Sequence, residues 1–351
     1  MSDPTLWSEE WYAQVDEPVL EPGLEIVDPH HHLWPKGGAL PYGLEDLQRD
    51  VSSGHHVVQT VFIECGAAYR SDGPTALAPV GETAFAAEVA QHDPAHLISA
   101  IVAHADLRLE RLDEVLDAHA EAADGRLRGV RDALAHAVHP EDLSIPGHAP
   151  EGLSSDPAFR AGVGRLGERG LTYDSWHYHY QNREFLELAR AVPGTTMVLD
   201  HFGTPLGVGP YAQQRDEIFE QWARDITELS RCDNVVAKLG GLAMMDNGFG
   251  WHRASAPASS DVLLDAQSRY YLHTIEAFGP QRCMFESNFP IDRFSISYRV
   301  LWNAFKKLTV GCSTAERTAM FSGTARRVYR LDAPGRDEHE RPQRHTTRDR
   351  R

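Results

Sequence analysis

Three adjacent histidines, His30, His31 and His32, follow the apolar pair Ile26-Val27 and precede Leu33-Trp34. In an extended segment side chains alternate faces, so His30 and His32 point one way and His31 the other. Two imidazoles converging from one strand suit a borderline metal such as zinc, or a site that moves protons near neutral pH. A surface cluster or a purification tag is the plainer alternative. Only three histidines adjoin each other and apolar residues flank them, which counts against a tag.

Other residues carry related chemistry. His201 stands where the apolar run Met197-Val198-Leu199 meets a Gly/Pro loop, the position of a strand's C-terminal end. In the run from Trp176 to Tyr180, His177 and His179 share one face of a continuing strand, and Trp176, Tyr178 and Tyr180 share the other. His179 is expected among the metal ligands, with Trp176, His177 and Tyr180 beside a substrate. Arg128 and Arg131 flank a short apolar segment. A guanidinium offers a fork to carboxylates, so either can hold an acidic substrate or a developing oxyanion, or simply pair with a nearby acid. Lys238, before Gly240-Gly241, can pair with a buried acid or, if carbamylated, bridge metals. Glu286 and Asn288 alternate onto one face of a last apolar segment, with Asp292 shortly after and Glu64 ending an earlier one. A carboxylate facing histidines can ligate a metal, activate water, or orient a ligand from behind.

These groups need a scaffold. The chain has 351 residues, and 34 basic against 51 acidic side chains give a net charge of -17. That balance argues against non-specific binding to nucleic acid or anionic membrane. No run approaches the roughly 18 to 20 apolar residues of a membrane helix. Residues 1–25 hold seven acids and no Lys or Arg, unlike a secretory leader, so cytoplasmic location is the default. Four scattered cysteines with no CxxC fit a reducing compartment. Short apolar segments at 25–28, 57–64, 97–102, 127–131, 171–176, 196–200, 235–238 and 283–286 read as strands covered on both sides. Helical stretches at 83–92, 109–124, 182–191, 218–231 and 262–278 separate several of them. Pro- and Gly-rich inserts at 34–47, 141–156 and 248–260 read as loops. The alternation predicts an α/β fold, a (β/α)8 TIM barrel over 25–332, with an N-terminal arm (1–24) and a disordered tail (333–351).

The histidine and carboxylate segments together resemble the amidohydrolase superfamily, in its amidohydrolase-related ("amidohydrolase 2") branch. They are His30-x-His32, then Leu199-Asp200-His201-Phe202-Gly203, then Met284-Phe285-Glu286-Ser287-Asn288-Phe289-Pro290, in order along 26–331. The resemblance implies a barrel whose relatives include sugar-lactone hydrolases, dicarboxylate lactonases and non-oxidative decarboxylases. Many hold one divalent metal through the HxH pair, a later-strand histidine and a last-strand aspartate. Some lactonases of the branch work without metal, using the aspartate as base and arginines to grip carboxylates.

This chain departs where relatives commonly read Gly-Ser-Asp-Trp-Pro. Asn288 cannot be a general base, so Glu286 or Asp292 is expected to supply the missing charge. The expectation is therefore an enzyme that opens a lactone or other cyclic ester of a polar or carboxylated small molecule. His30, His32, His179, His201 and Glu286 would hold one zinc or manganese ion, and Glu286, His201, Asn288 and Asp292 would serve catalysis. Substrate would meet Arg128, Arg131, Trp176, His177 and Tyr180. A decarboxylase, an amidase or other C–N hydrolase, and a non-catalytic binding barrel are the alternatives. The partner is a small molecule, with self-association into a homo-oligomer open and no nucleic acid or membrane.

Overall fold

The computed structural model describes residues 8–332. Its centre is eight parallel strands in sequence order: β1 (Glu25–His31), β2 (His56–Ile63), β3 (Ile98–Ala103), β4 (Leu127–Arg131), β5 (Thr172–Ser175), β6 (Met197–Leu199), β7 (Val235–Leu239) and β8 (Cys283–Phe285). Each overlaps a segment expected from the sequence. The ring closes just past β8, where Asn288 N–H donates to His30 O (3.0 Å) and His32 N–H donates to Phe289 O (2.8 Å). The fold is thus the (β/α)8 barrel.

The strands are apolar on both faces because both are covered. Outward residues such as Phe62, Ile101, Leu199 and Leu239 pack under the surrounding helices. Inward residues Val61, Val102, Val198, Val236 and Met284 fill the lower barrel, where the helix Thr324–Tyr329 supplies Val328 and Tyr329. The interior then changes character with one step of the pleat. Two residues beyond Val198, Val236 and Met284, on the same faces, stand Asp200, Lys238 and Glu286, all fully buried. An apolar floor therefore carries a charged layer at the C-terminal end of the strands.

The longer helices match the sequence reading closely, as at Asn182–Ala191 and Ser260–Phe278. Two regions differ. The insert expected as loop over 34–47 ends in the helix Leu44–Val51, started by Asp46 accepting from Gly43 N–H. The helix Pro157–Glu168 lacks a clear sequence signal because it carries three glycines, although Asp156 caps it through the N–H groups of Ala158 and Phe159. Gly162 is needed there: a Cβ would meet Leu107 O at 2.0 Å.

The described part of the arm is tied to the body. Trp11 is buried and donates to Ala254 O, Glu17 accepts from Ser260, and Lys306 donates to Leu20 O and Glu21 O. The tail expected over 333–351 lies outside the described residues. Among the described residues no helix is long and apolar enough to cross a membrane.

Candidate active site

A cavity of about 450 Å³ opens at the C-terminal ends of the strands, bordered by His32, Arg131, His201 and Asn288 on one side. Trp34, Leu153, Trp176, Met244 and Ile291 give it an apolar wall. This is the face on which a parallel barrel gathers its chemistry, because strand ends aim side chains at a common axis while loops shape the rim. A second cavity, about 470 Å³ between the arm and Arg49, Arg293 and Arg299, contains none of the expected residues.

The histidines form a connected set. His32 Nδ1 donates to Ile63 O at 2.8 Å, which leaves its Nε2 with a lone pair. That atom lies 3.2 Å from His30 Nε2. His30 Nδ1 faces both Glu286 Oε2 at 2.8 Å and Lys238 Nζ at 3.2 Å, and Nε2 is the atom turned toward His32. Burial, with Lys238 beside it, holds His30 well below the usual imidazole range. Burial, with Arg131 beside it, does the same for His32. Both rings are neutral at physiological pH, the form that binds metals.

His201 reaches the site through an unusual corner. His201 and Phe202 have φ of 52° and 58°, left-handed values that turn the chain sharply at the end of β6. Its Nδ1 donates to Glu286 Oε1 at 2.7 Å, which turns Nε2 the other way. The space comes from Gly240-Gly241. A Cβ on Gly241 (φ +74°) would sit 2.2 Å from His201 Nδ1, and one on Gly240 2.5 Å from Glu286 Cγ.

Below the rings lies a charged layer. Lys238 Nζ sits 3.0 Å from both Asp174 and Asp200, and Tyr329 OH donates to Asp174 at 2.5 Å. Arg131 donates to Glu64 Oε1 at 2.6 Å and to Asp200 Oδ2 at 3.4 Å. Burial disfavours charge on Lys238, but Asp200 and Asp174 outweigh it and raise its pKa. Asp200 is likewise held below the usual carboxylate range by Lys238, His201 and Arg131, against the effect of burial.

The residues present fit a divalent metal. His30, Asp200 and His201 each bring a ligand atom within 4.8 Å of the others. The 3.2 Å between the Nε2 atoms of His30 and His32 is close to the ~3.3 Å spacing of two imidazoles on one tetrahedral zinc. Two buried carboxylate oxygens, Asp200 Oδ1 and Glu286 Oε2, have no aligned hydrogen-bond donor. Glu64, Asp174, Asp200 and Glu286 also stand against only Arg131 and Lys238 within these ion pairs.

The structure does not bring all the expected residues to this point. His32, Arg131, Trp176, His201 and Asn288 border the cavity, and His30 lies directly behind His32. Glu286 is fully buried behind the rings, touching His201 and, through Oε2 at 2.8 Å, His30 Nδ1. It backs the histidines instead of facing the cavity. Asp292 is also buried away from it, accepting from Asn288 Nδ2 and Ala243 N–H, and burial pushes it up to about 7.

The expectation for His177, His179 and Tyr180 requires correction, because β5 ends at Ser175 and a 3-10 turn spans His179–Gln181. The alternation stops before these residues. His177 is buried between Ser175 Oγ and Asn182 Oδ1. His179 accepts from Leu206 N–H and packs against Tyr180 and Tyr211. Tyr180 donates to His136 O. Arg128 is corrected too: at the opposite end of β4, it donates to Gly125 O and Leu127 O.

Asp200 and His104 are the site residues that the sequence reading passed over. Asp200 adjoins His201 in the same strand end, and His104 follows β3 as His201 follows β6. The rule that found His201, a histidine where an apolar strand meets a loop, also points to His104.

The sequence pattern of the family described as Amidohydrolase matches residues 27–331. The protein y4mH of Sinorhizobium fredii is 33% identical over 330 residues, covering 88% of this chain and 99% of that one. An L-fucono-1,5-lactonase of Burkholderia multivorans is 28% identical over 315 residues, 88% of this chain and 97% of that one. Among solved structures, an amidohydrolase from Burkholderia multivorans with bound zinc superposes with a TM-score of 0.69 at 26% identity, over 88% of this chain and 99% of that one.

Proposed function

This chain belongs to the amidohydrolase family, and on that footing we propose that it hydrolyses a lactone or related cyclic ester of a small polar molecule. The observation that carries this reading is the cavity itself, where His32, His201, Arg131 and Asn288 border one side of a space sized for one small molecule. The similarity to an L-fucono-1,5-lactonase along nearly the whole of both chains supports the same reaction.

His30, His201 and Asp200 would hold the divalent metal, with His32 Nε2 beside them. When bound, such an ion supplies Lewis acidity toward an ester carbonyl and toward water. The chain's own groups do the rest. Glu286 fixes the His201 ring by accepting its Nδ1 hydrogen, so the Nε2 lone pair is presented outward. In metal-free protein that lone pair is a proton acceptor for water. Arg131 keeps two guanidinium hydrogens beyond those given to Glu64 and Asp200, and these meet the oxyanion that forms as water adds to the carbonyl. Asn288 spends its Nδ2 on Asp292, which leaves Oδ1 to accept from a substrate hydroxyl. The apolar wall of Trp34, Trp176 and Met244 keeps water away from the opposite face of the ring.

A panel of sugar-acid lactones, pyrone carboxylates and muconolactones, followed by acid release, tests this directly. Turnover of at least one lactone class is expected. Decarboxylation of an aryl carboxylate with no lactone opened overturns the reading in favour of a decarboxylase.

A further inference from the structure

Opening a cyclic ester needs a proton for the departing oxygen as well as an activated water. His30 and His32 are neutral, Arg131 does not give up a proton, and His201 Nε2 is turned to receive one from water. That leaves the proton donor to another side chain on the cavity wall.

His104 has that geometry. It directly follows β3, at the same end of the barrel as Arg131, and borders the cavity. Its Nδ1 donates to the backbone carbonyl of Arg131 at 3.0 Å, so the tautomer is fixed and Nε2 is the atom left for a substrate. The ring is stacked on Tyr69, with an interplanar angle of 15° and centroids 6.4 Å apart. We propose that His104 is the general acid of the reaction, giving its Nε2 proton to the ring oxygen of the ester. This rests on the reading of the cavity as a lactone-opening site.

The step balances without another reagent. Water adds to the carbonyl carbon as one of its protons passes to the His201 Nε2 side of the site, forming a tetrahedral intermediate whose remaining hydroxyl proton goes to solvent when the carboxylate forms. The bond from that carbon to the ring oxygen then breaks, its electron pair stays on the oxygen, and the His104 Nε2 proton joins it. The products are one hydroxyl and one carboxylate, and neutral His104 regains its proton from solvent.

The surroundings favour the charged form of His104. Glu64, Asp106 and Asp132 face it with negative charge, while Arg131, His119, the carboxyl of Glu82 and the neutral phenol of Tyr69 are its other neighbours. Burial opposes its charge, but Glu64 and Asp132 outweigh burial and raise its pKa above the usual histidine value. A structural role as a mere link between β3 and β4 needs only the Nδ1 bond.

The two roles separate by leaving group. A sugar δ-lactone expels an alkoxide and depends on a general acid; dihydrocoumarin expels a phenoxide and depends on it much less. His104→Asn keeps an N–H able to reach Arg131 O while removing Nε2. It is expected to lower kcat/KM about 10²-fold or more on the sugar lactone, and far less on dihydrocoumarin. In wild type, activity on the sugar lactone should fall at alkaline pH as His104 loses its proton. Asp132→Asn, which removes one charge that holds the proton, should move that fall to lower pH, and this second variant serves if His104→Asn does not fold. Equal slowing of both substrates, or a fall that Asp132→Asn leaves unmoved, overturns the role of His104 while leaving lactone opening intact. A wild-type protein that opens neither lactone overturns the functional reading and the proton donor with it.

Discussion

Glu286 and His201 meet carboxylate to imidazole, Oε1 2.7 Å from Nδ1, with side-chain exposures of 0% and 3%. The same carboxylate reaches His30 with its other oxygen. Glu286 is thus placed to orient two imidazoles at once, and this position departs from the expected metal ligand or base in contact with substrate. Glu286→Gln keeps the volume but loses the charge that makes both rings better donors. Metal affinity is expected to fall about 10- to 100-fold, read by competition with a chelating dye, with melting temperature nearly unchanged. Unaltered affinity in a folded variant rules the orienting role out.

Elemental analysis of untagged protein should find one divalent ion, zinc or manganese, per chain. Because a ligand that binds only the folded state stabilises it, stripping the ion should lower the melting temperature by a few degrees. Asp200 Oδ1, a buried carboxylate oxygen without an aligned donor in the candidate ligand set, is the group the ion would satisfy. A stripped sample that melts at the same temperature and keeps full turnover shifts the mechanism to the metal-free route through His201.

The barrel was legible because several of its strands are short Val- and Ile-rich runs whose period needs no long-range information. Val198-x-Asp200, Val236-x-Lys238 and Met284-x-Glu286 even show in sequence the step from apolar floor to charged layer. The failures lie where alternation was carried past a strand end. His177 and His179 share a face only if β5 continues, and it stops at Ser175. Glu286 and Asn288 share a nominal face, yet Asn288 has φ 55°, a left-handed bend that parts their directions. Both breaks fall just past the last paired residue of a strand, where the ladder no longer holds the alternation, and Asn is itself a residue type that tolerates the left-handed region.

Gly241 gives the site a mechanical test. Alanine there must keep a φ of +74° and place its Cβ 2.2 Å from His201 Nδ1. A cost of about 2–4 kcal/mol is expected, combining backbone strain with overpacking, and turnover should fall as His201 is pushed off Glu286. Gly250→Ala is the control, since Gly250 has φ +73° and nothing within 4 Å of a Cβ. If both variants lose equal stability and turnover, the contact with His201 has no special weight.

Glu82 makes a prediction about pH and stability. It is buried on the helix Val80–His92, where Oε1 accepts from Cys65 and Ala67 N–H and Oε2 has no partner. Burial, and then Glu64, push its carboxyl up from 4.5 to about 7, against the pull of those N–H groups. A folded pKa above the unfolded one means the fold favours the protonated form. That contribution is fully present below about pH 4.5 and is lost as pH rises through about 7. The gap between an unfolded value near 4.5 and a folded one of about 7 corresponds to on the order of 3 kcal/mol. Glu82→Gln keeps an acceptor for the two N–H groups and cannot ionise. The variant should therefore come close to wild type in denaturant unfolding at pH 4 and exceed it by up to about that amount at pH 8. Equal stability of the two proteins at pH 8 means that Glu82 is charged in the fold without penalty and that burial does not govern it.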